Sequence, residues 1–239
     1  MTKERSIMPK LKSADSVSEL ALARIAYPVT SLGPGRRLAL WTAGCCRRCR
    51  GCISPDILVA RPEHRIEVNR VIERIVAVGA SLEGLTLSGG DPLDQPEGIT
   101  VLIDALKTHF PEWNVISYTG HRLESLQQQP TTAAALQRID LLIDGDYRAR
   151  QPSPHPLIGS ANQRLLPLNK TGEALLQRIE AEREQAPHFN LARGDGTEAL
   201  LVGVGTAQSR AHFHKKAGLR PWLETTKQNC AEITTAATS

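Results

Sequence analysis

Long apolar runs are missing from this 239-residue chain. A membrane-spanning helix needs about 18 or more consecutive apolar residues, and the longest charge-free stretches fall well short of that. The basic N-terminal residues are followed by no apolar segment and no small-residue cleavage site, so the sequence shows no secretory signal. These absences predict a cytoplasmic protein with no membrane partner, whose cysteines stay reduced.

A strong excess of either charge is also missing. Lysine and arginine number 29 against 25 aspartate and glutamate, and the net charge of +4 is spread along the chain. So small an imbalance does not predict a nucleic-acid partner. With 41% hydrophobic and 23% charged residues, the composition is that of a globular protein that can bury a core.

Strand and helix patterns alternate through the middle of the chain. Neighbouring parallel strands need a crossover, which a helix supplies, so this alternation predicts an α/β fold with a mostly parallel sheet. Strands are predicted at 21–29, 36–41, 84–88, 113–118, 139–144 and 199–205, and helices from Val68 to about Gly79, from about Ile99 to Phe110, from Glu173 to about Gln185 and within 207–218.

The same pattern divides the chain into four parts. Residues 1–20 are polar and are predicted to be a flexible leader, and residues 21–169 form the α/β core. Residues 170–223 are predicted to be a C-terminal α/β extension packed on that core, and residues 224–239 a loose tail.

Four of the 5 cysteines lie within residues 45–52. Cys45, Cys49 and Cys52 have the spacing C-x3-C-x2-C, which lets three thiolates face one inorganic cluster and leaves one iron open. Thiolates suit iron-sulfur clusters and zinc, but structural zinc usually takes four ligands from paired motifs, and no second pair is suitably spaced. A zinc site completed by Cys46 or a distant histidine, and a cysteine run without metal, are the alternatives.

A second motif follows the predicted strand at 84–88. Gly89 and Gly90 allow close approach of the backbone to a ligand, and Asp91 before Pro92 places a carboxylate in a rigid turn. Taken alone, this motif is more often a simple turn. Ligands of parallel sheets bind at the carboxyl ends of the strands, so we expect the loops after Trp41, Leu87 and Ser117 to converge there.

Together the two motifs resemble those of the radical S-adenosylmethionine (SAM) enzymes, in which a C-x3-C-x2-C loop follows the first barrel strand and a Gly-Gly-Glu-Pro-type loop follows the second. Within that family, the sequence is most similar to the activating enzymes of anaerobic, class III ribonucleotide reductases. The similarity covers roughly residues 24–169 and includes SLGPGRRLALWTAGC, VISYTGH, LLIDGDY and IGSANQRL.

The resemblance implies a partial (β/α) barrel of the radical SAM type for the core. It implies a 4Fe-4S cluster held by Cys45, Cys49 and Cys52, with SAM bound at the fourth iron. The positions that it places beside SAM are Gly51, Ile53, Gly89, Gly90, Asp91, Tyr118 and Thr119. Asp144, Asp146 and Asn162 fall in matching segments, but no chemical step can be assigned to them.

The function that the resemblance implies is reductive cleavage of SAM to a 5′-deoxyadenosyl radical, which installs a glycyl radical on a partner enzyme. Reduced flavodoxin or ferredoxin is the implied electron donor. A radical SAM enzyme that modifies a peptide or small molecule is one alternative, and a non-catalytic iron-sulfur module for electron transfer or redox sensing is another. Cys46 is predicted to be dispensable for the cluster, and each histidine is predicted to be a surface or packing residue.

Overall fold

A computed structural model of the chain describes residues 18–194, 196 and 199–205. The predicted helix within 207–218 and the predicted tail at 224–239 lie outside these residues, as does all of the predicted leader except its last three positions. None of the helices within the described ranges has both the length and the apolar character that a membrane span requires.

The described residues form nine strands and five α-helices. The strands are β1 (Glu19–Val29), β2 (Arg37–Thr42), β3 (Arg65–Glu67), β4 (Gly84–Gly89), β5 (Asn114–Thr119), β6 (Leu141–Asp144), β7 (Arg164–Pro167), β8 (Asn190–Gly194) and β9 (Ala199–Val202). The helices are α1 (Val68–Val76), α2 (Pro96–His109), α3 (Leu123–Leu126), α4 (Pro130–Leu136) and α5 (Lys170–Ala181).

All nine strands belong to one sheet, in the order β7-β6-β5-β4-β2-β1-β8-β9, with β3 paired to β1. The four central strands, β2, β4, β5 and β6, run parallel. The strands beyond them pair antiparallel, β7 with β6 on one side and β1, β8 and β9 on the other. The predicted α/β fold is confirmed, and its parallel arrangement holds in the centre of a sheet that does not close within the described residues.

The sheet buries a different core on each face. Along β2, Leu38 and Leu40 lie in the large cluster that includes the buried sides of α1 and α2, whereas Ala39 lies in a smaller cluster on the opposite face. Successive side chains of a strand point to opposite faces of the sheet, which accounts for this division. A fully buried leucine side chain contributes about 1.5–3 kcal/mol, so the face covered by α1 and α2 supplies most of the apolar stabilisation.

The C-terminal part of the described chain completes the other face. Helix α5 packs against β6 and β7, and Leu175 and Ile179 of this helix are buried with residues of β5 and β6. Asn169 caps the helix by accepting a hydrogen bond from the Gly172 amide at 2.9 Å. Helix α5 therefore begins three residues before the predicted Glu173, because the capping residue precedes the apolar pattern.

Candidate metal centre and ligand site

The loops after β2 and β4 are joined at the carboxyl edge of the parallel strands. The Gly90 amide donates to the Thr42 carbonyl at 2.8 Å, and the Asp91 amide donates to the Gly44 carbonyl at 2.9 Å. The loop that carries the cysteines and the Gly-Gly-Asp-Pro loop thus continue the pairing of their strands. The predicted convergence of these two loops is confirmed.

Both glycines of the second motif are required by this contact. A Cβ atom on Gly89 would lie 2.3 Å from the Thr42 amide nitrogen, and one on Gly90 would lie 1.9 Å from the Gly44 carbonyl oxygen. Gly89 also has a φ of 115°, a conformation that side chains disfavour. The structure therefore gives the glycines a role in packing one loop backbone against the other.

The Asp91 side chain joins the same loop to the end of β5. It is fully buried and accepts hydrogen bonds from the Leu93 amide at 3.0 Å, the Thr119 hydroxyl at 3.0 Å and the Gly120 amide at 2.8 Å. Burial raises the pKa of Asp91 to about 6, although the Gly120 N–H bond opposes the shift. The side chain thus holds the loops after β4 and β5 together, and the third predicted loop joins the convergence.

Cys45, Cys49 and Cys52 are partly exposed thiols in the loop after β2. The Cys52 amide donates to the Cys49 carbonyl at 3.1 Å, and the Ser54 amide points at the Cys52 sulfur at 3.4 Å. Burial raises the pKa of Cys45 to about 11, against the opposing effect of two backbone N–H groups. In the absence of a metal this thiol is therefore protonated at neutral pH, and binding of a metal would release its proton.

The spacing of these thiols differs from that of a single-ion site. Within the described residues, the one set of three candidate ligand atoms that all lie within 4.8 Å of one another comes from Cys46, Asp94 and His121. Three thiolates on one tetrahedral zinc ion would be only about 3.8 Å apart. The sulfur atoms of Cys45, Cys49 and Cys52 therefore do not all lie within the spacing of a single-ion site in the described part of the chain.

The remaining predicted positions are more dispersed. Ile53 is 38% exposed on the surface of the cysteine loop. Gly51 has a φ of 79°, and a Cβ atom on it would lie 3.2 Å from the Cβ of Ala149 in the loop after β6. Tyr118 and Thr119 are consecutive on β5 and face opposite sides of the sheet. The Tyr118 hydroxyl donates to the Leu157 carbonyl at 2.9 Å, and burial raises the Tyr118 pKa.

The loop after β6 contains both a closed ion-pair network and an unsatisfied polar atom. Asp144 is fully buried and accepts from Arg122 at 3.2 Å and from Arg164 Nε at 2.9 Å. Burial is the largest influence and would raise the Asp144 pKa, but the Arg164 hydrogen bonds, the Leu123 N–H and the charges of Arg164 and Arg122 together outweigh it, so the pKa is lowered. The Asn162 side chain donates to the Asp146 carbonyl at 2.8 Å, while its buried Oδ1 accepts no hydrogen bond from the described residues.

Three neighbouring residues were not predicted to act together. Cys46, Asp94 and His121 follow β2, β4 and β5 respectively, and their side chains meet at the junction of the three loops. They are separated by tens of positions in the chain, so no spacing motif connects them. The signal that could have found them is that each lies within a few residues of the carboxyl end of a parallel strand.

The family model of a 4Fe-4S single cluster domain matches residues 31–166 of this chain. The chain belongs to this 4Fe-4S family. The match runs from the turn before β2 to β7, and so contains the three motif cysteines and every loop of the site. Membership supports a 4Fe-4S cluster in this chain.

Several curated proteins are similar to the chain over the same region. The anaerobic ribonucleoside-triphosphate reductase-activating protein of Enterobacteria phage T4 is 36% identical over 136 residues, which are 56% of this chain and 85% of that protein. The protein of the same name from Vibrio cholerae is 31% identical over 144 residues, 57% of this chain and 92% of that protein. That from Escherichia coli K12 is 30% identical over 148 residues, with the same two coverages. The predicted closeness to these activating enzymes is confirmed.

Proposed function

We propose that this chain is a radical SAM activating enzyme that installs a glycyl radical on an anaerobic ribonucleotide reductase. The observation that carries the proposal is the convergence of the C-x3-C-x2-C loop and the Gly-Gly-Asp-Pro loop at one sheet edge, in a chain that belongs to the 4Fe-4S single cluster domain family. The names of its relatives support this class of partner. The open sheet is, on this proposal, a partial barrel of the radical SAM type, and reduced flavodoxin or ferredoxin is the electron donor.

Cys45, Cys49 and Cys52 would hold the cluster. When bound, the cluster and SAM supply the chemistry: one-electron reduction of the sulfonium and release of the 5′-deoxyadenosyl radical. The chain supplies three thiolates and backbone N–H groups of Arg47 and Arg48 that are directed at Cys45. These N–H groups offset part of the negative charge of a thiolate-ligated cluster.

The residues around Asp91 would form one side of the SAM site. Asp91 itself would hold the surrounding loops in place, because both of its carboxylate oxygens already accept hydrogen bonds within the chain. On this side of the site, the backbone of Gly89 and Gly90 would contact SAM. Gly51 and Ile53 would flank the adenosine from the cysteine loop.

The opposite side of the SAM site would come from the loops after β5 and β6. The buried Asn162 Oδ1 has no donor within the described residues, so it can accept a hydrogen bond from a ligand hydroxyl without losing an internal one. Tyr118 would present its ring, since its hydroxyl is held by Leu157. Both features fit a nucleoside, which carries hydroxyl groups and an aromatic base.

The test is anaerobic reconstitution of the full chain with iron and sulfide, followed by addition of dithionite and SAM. We expect a 4Fe-4S spectrum, release of 5′-deoxyadenosine, and a glycyl radical signal in electron paramagnetic resonance when a class III reductase is added. A cluster that is inert toward SAM would contradict the proposal and favour an electron-transfer module. Cleavage of SAM without a radical on the reductase would favour a peptide or small-molecule substrate.

Matched cysteine variants test the ligand assignment. Cys45→Ala should lose the cluster and SAM cleavage, whereas Cys46→Ala, one position along the same loop, should retain both. Iron and sulfide analysis measures the first property, and chromatography of 5′-deoxyadenosine measures the second. Full cluster content in Cys45→Ala, or its loss in Cys46→Ala, would show that the three ligands are assigned wrongly.

A further inference from the structure

Cys46, Asp94 and His121 converge on one point beside the cluster loop. The Cys46 sulfur lies 3.5 Å from Asp94 Oδ1 and 3.7 Å from His121 Nε2, and the last two atoms are 2.8 Å apart. The side chains of His121 and Asp94 are 23% and 22% exposed, and Cys46 is exposed. All three side chains are therefore in contact with solvent.

The arrangement is not that of a nucleophile relay. In a Cys-His-Asp relay the thiol and the carboxylate bind different nitrogens of the imidazole ring, so that a proton can cross the ring. Here both Cys46 and Asp94 face the same nitrogen, Nε2 of His121. Because the Cys46 sulfur and the Asp94 oxygen face the same nitrogen, the three atoms surround a common centre, as the ligands of a chelated metal ion do.

The distances match those of a zinc-type ion. With Zn–S of about 2.3 Å and Zn–N or Zn–O of about 2.0 Å, tetrahedral geometry places sulfur about 3.5 Å from the other two ligands and nitrogen about 3.3 Å from oxygen. The two distances to sulfur already agree, and the nitrogen–oxygen pair would open by about 0.5 Å when an ion replaces the proton between them. We propose that Cys46, Asp94 and His121 form a site for a divalent cation of the zinc class, with water as the fourth ligand.

The surroundings orient the ligands before an ion binds. The Cys46 amide donates to Asp94 Oδ2 at 2.9 Å, so the other carboxylate oxygen is turned toward His121 and the thiol. The His121 amide donates to the Thr119 hydroxyl at 3.1 Å. Such outer contacts fix the ligand orientation on which metal affinity depends.

The local charge also favours a cation. Asp91 Oδ2 lies 3.8 Å from His121 Nε2, so two carboxylates face the site, and the thiolate of Cys46 would be a third anion. Arg47 is the opposing charge, since it acts on both His121 and Cys46. The ion would link the loops after β2, β4 and β5 without using Cys45, Cys49 or Cys52, so this inference does not depend on the proposed function.

The first experiment uses the cluster-loaded full chain under argon. The protein is equilibrated with Zn²⁺, freed of unbound metal by gel filtration, and analysed for zinc and iron by mass spectrometry. We expect one zinc per chain with the iron content unchanged. Zinc that appears only as iron is lost would mean that it displaces the cluster, and no retained zinc would mean that the site does not bind it; either result overturns the proposal.

The second experiment removes the competing thiols. In the full chain with Cys45, Cys49 and Cys52 replaced by alanine, Co²⁺ should produce a single-thiolate charge-transfer band in the near ultraviolet. Cys46→Ala added to that background should abolish the band, and Asp94→Asn or His121→Phe should weaken Co²⁺ binding at least about tenfold. Cys230→Ala, Asp104→Asn and His109→Phe are the matched controls and should leave it unchanged. A band that survives Cys46→Ala would refute the assignment, and the zinc measurement on the cluster-loaded chain stands if the background variant does not fold.

Discussion

The polar side chains at the two edges of the parallel sheet differ in how completely they are hydrogen-bonded. At the amino edge, Arg37 is completely buried and donates to the Thr86 hydroxyl at 2.6 Å, to Asn114 Oδ1 at 2.6 Å and to the Leu85 carbonyl at 2.7 Å. Burial lowers the pKa of Arg37 to about 9, so it remains charged at neutral pH. At the carboxyl edge the loops carry the four clustered cysteines and His121, whose ring contacts both Cys46 and Asp94. They also carry the Asn162 Oδ1, which has no hydrogen-bond donor within the described residues.

The difference separates stability from ligand binding. The amino edge uses one charged side chain, Arg37, to satisfy the carbonyl oxygens of Leu85 and Asn114 on the strands it crosses. The carboxyl edge uses backbone contacts and the buried Asp91 to hold its loops together. Variants at the amino edge should therefore change the free energy of unfolding, and variants of the cysteines should change metal content.

The largest effect on stability is expected at Arg37. Arg37→Met would leave the Leu85 carbonyl and Asn114 without their donor, and we expect unfolding to become easier by about 3–5 kcal/mol. Urea denaturation of the metal-free protein measures it. The exposed neighbour provides the control, since Arg36→Met should change stability by less than about 0.5 kcal/mol. A variant that keeps wild-type stability would remove the contrast between the edges.

A somewhat smaller effect is expected where the two motif loops touch. In Gly90→Ala the new Cβ would lie 1.9 Å from the Gly44 carbonyl oxygen, and the loops must separate at a cost of about 3 kcal/mol. In Gly120→Ala the nearest atom is the Arg47 side chain at 2.8 Å, which can move away. Gly90→Ala should therefore lower both the denaturation midpoint and the iron content after reconstitution, and Gly120→Ala should change them less. Equal effects would argue against the backbone contact.

A moderate effect is expected from the bridge between the loops after β4 and β5. Thr119→Val removes the hydroxyl that donates to Asp91, and leaving the buried carboxylate with one donor fewer should cost about 1–3 kcal/mol. Thr108→Val is the control, because the Thr108 hydroxyl bonds only its own helix, at the Asp104 carbonyl. Chemical denaturation compares the two. A larger loss in Thr108→Val would contradict the bridging role of Thr119.

The smallest effect is expected in the pH dependence of stability. His155 is buried, and burial together with the charge of Arg183 lowers its pKa below 6.5. As the pH falls below about 6.5, the unfolded chain binds a proton that the folded histidine resists, so the folded state loses stability. His155→Gln should flatten this part of the stability profile between pH 7 and 5. An unchanged slope in the variant would show that other groups cause the pH dependence.

The elements that the sequence predicted are those with a long hydrophobic period of their own. The apolar spacing of Val68, Val71, Ile72 and Ile75 predicted α1, and all four side chains are buried. Strands β3, β7 and β8 were missed because these short segments each contain an arginine and bury few of their side chains fully. Their conformation depends on pairing with β1 or β6, which no local pattern reveals.

The candidate site also has one part that a local sequence pattern predicts and one part that depends on contacts between distant residues. The cysteine spacing lies within one loop, so the sequence alone predicts the cluster ligands, and the family match supports the cluster itself. Asp91 was predicted to lie beside SAM, which stays a prediction, and its buried hydrogen bonds also give it the role of holding two loops together. That role could not be predicted, because its partners Thr119 and Gly120 lie on another strand.

Composition and hydrophobic period by themselves determined the α/β class and the order of the main helices and strands, and the resemblance of the cysteine and glycine motifs to a known family indicated an iron-sulfur cluster. Tertiary structure alone decided that Gly89 and Gly90 pack closely against the neighbouring loop backbone, how the buried charge of Arg37 is hydrogen-bonded by uncharged oxygens, and that Cys46, Asp94 and His121 meet at one point. The physical reason is distance along the chain. Local patterns record whether a side chain is buried, but contacts between the ends of parallel strands exist only after crossover helices have placed those strands side by side.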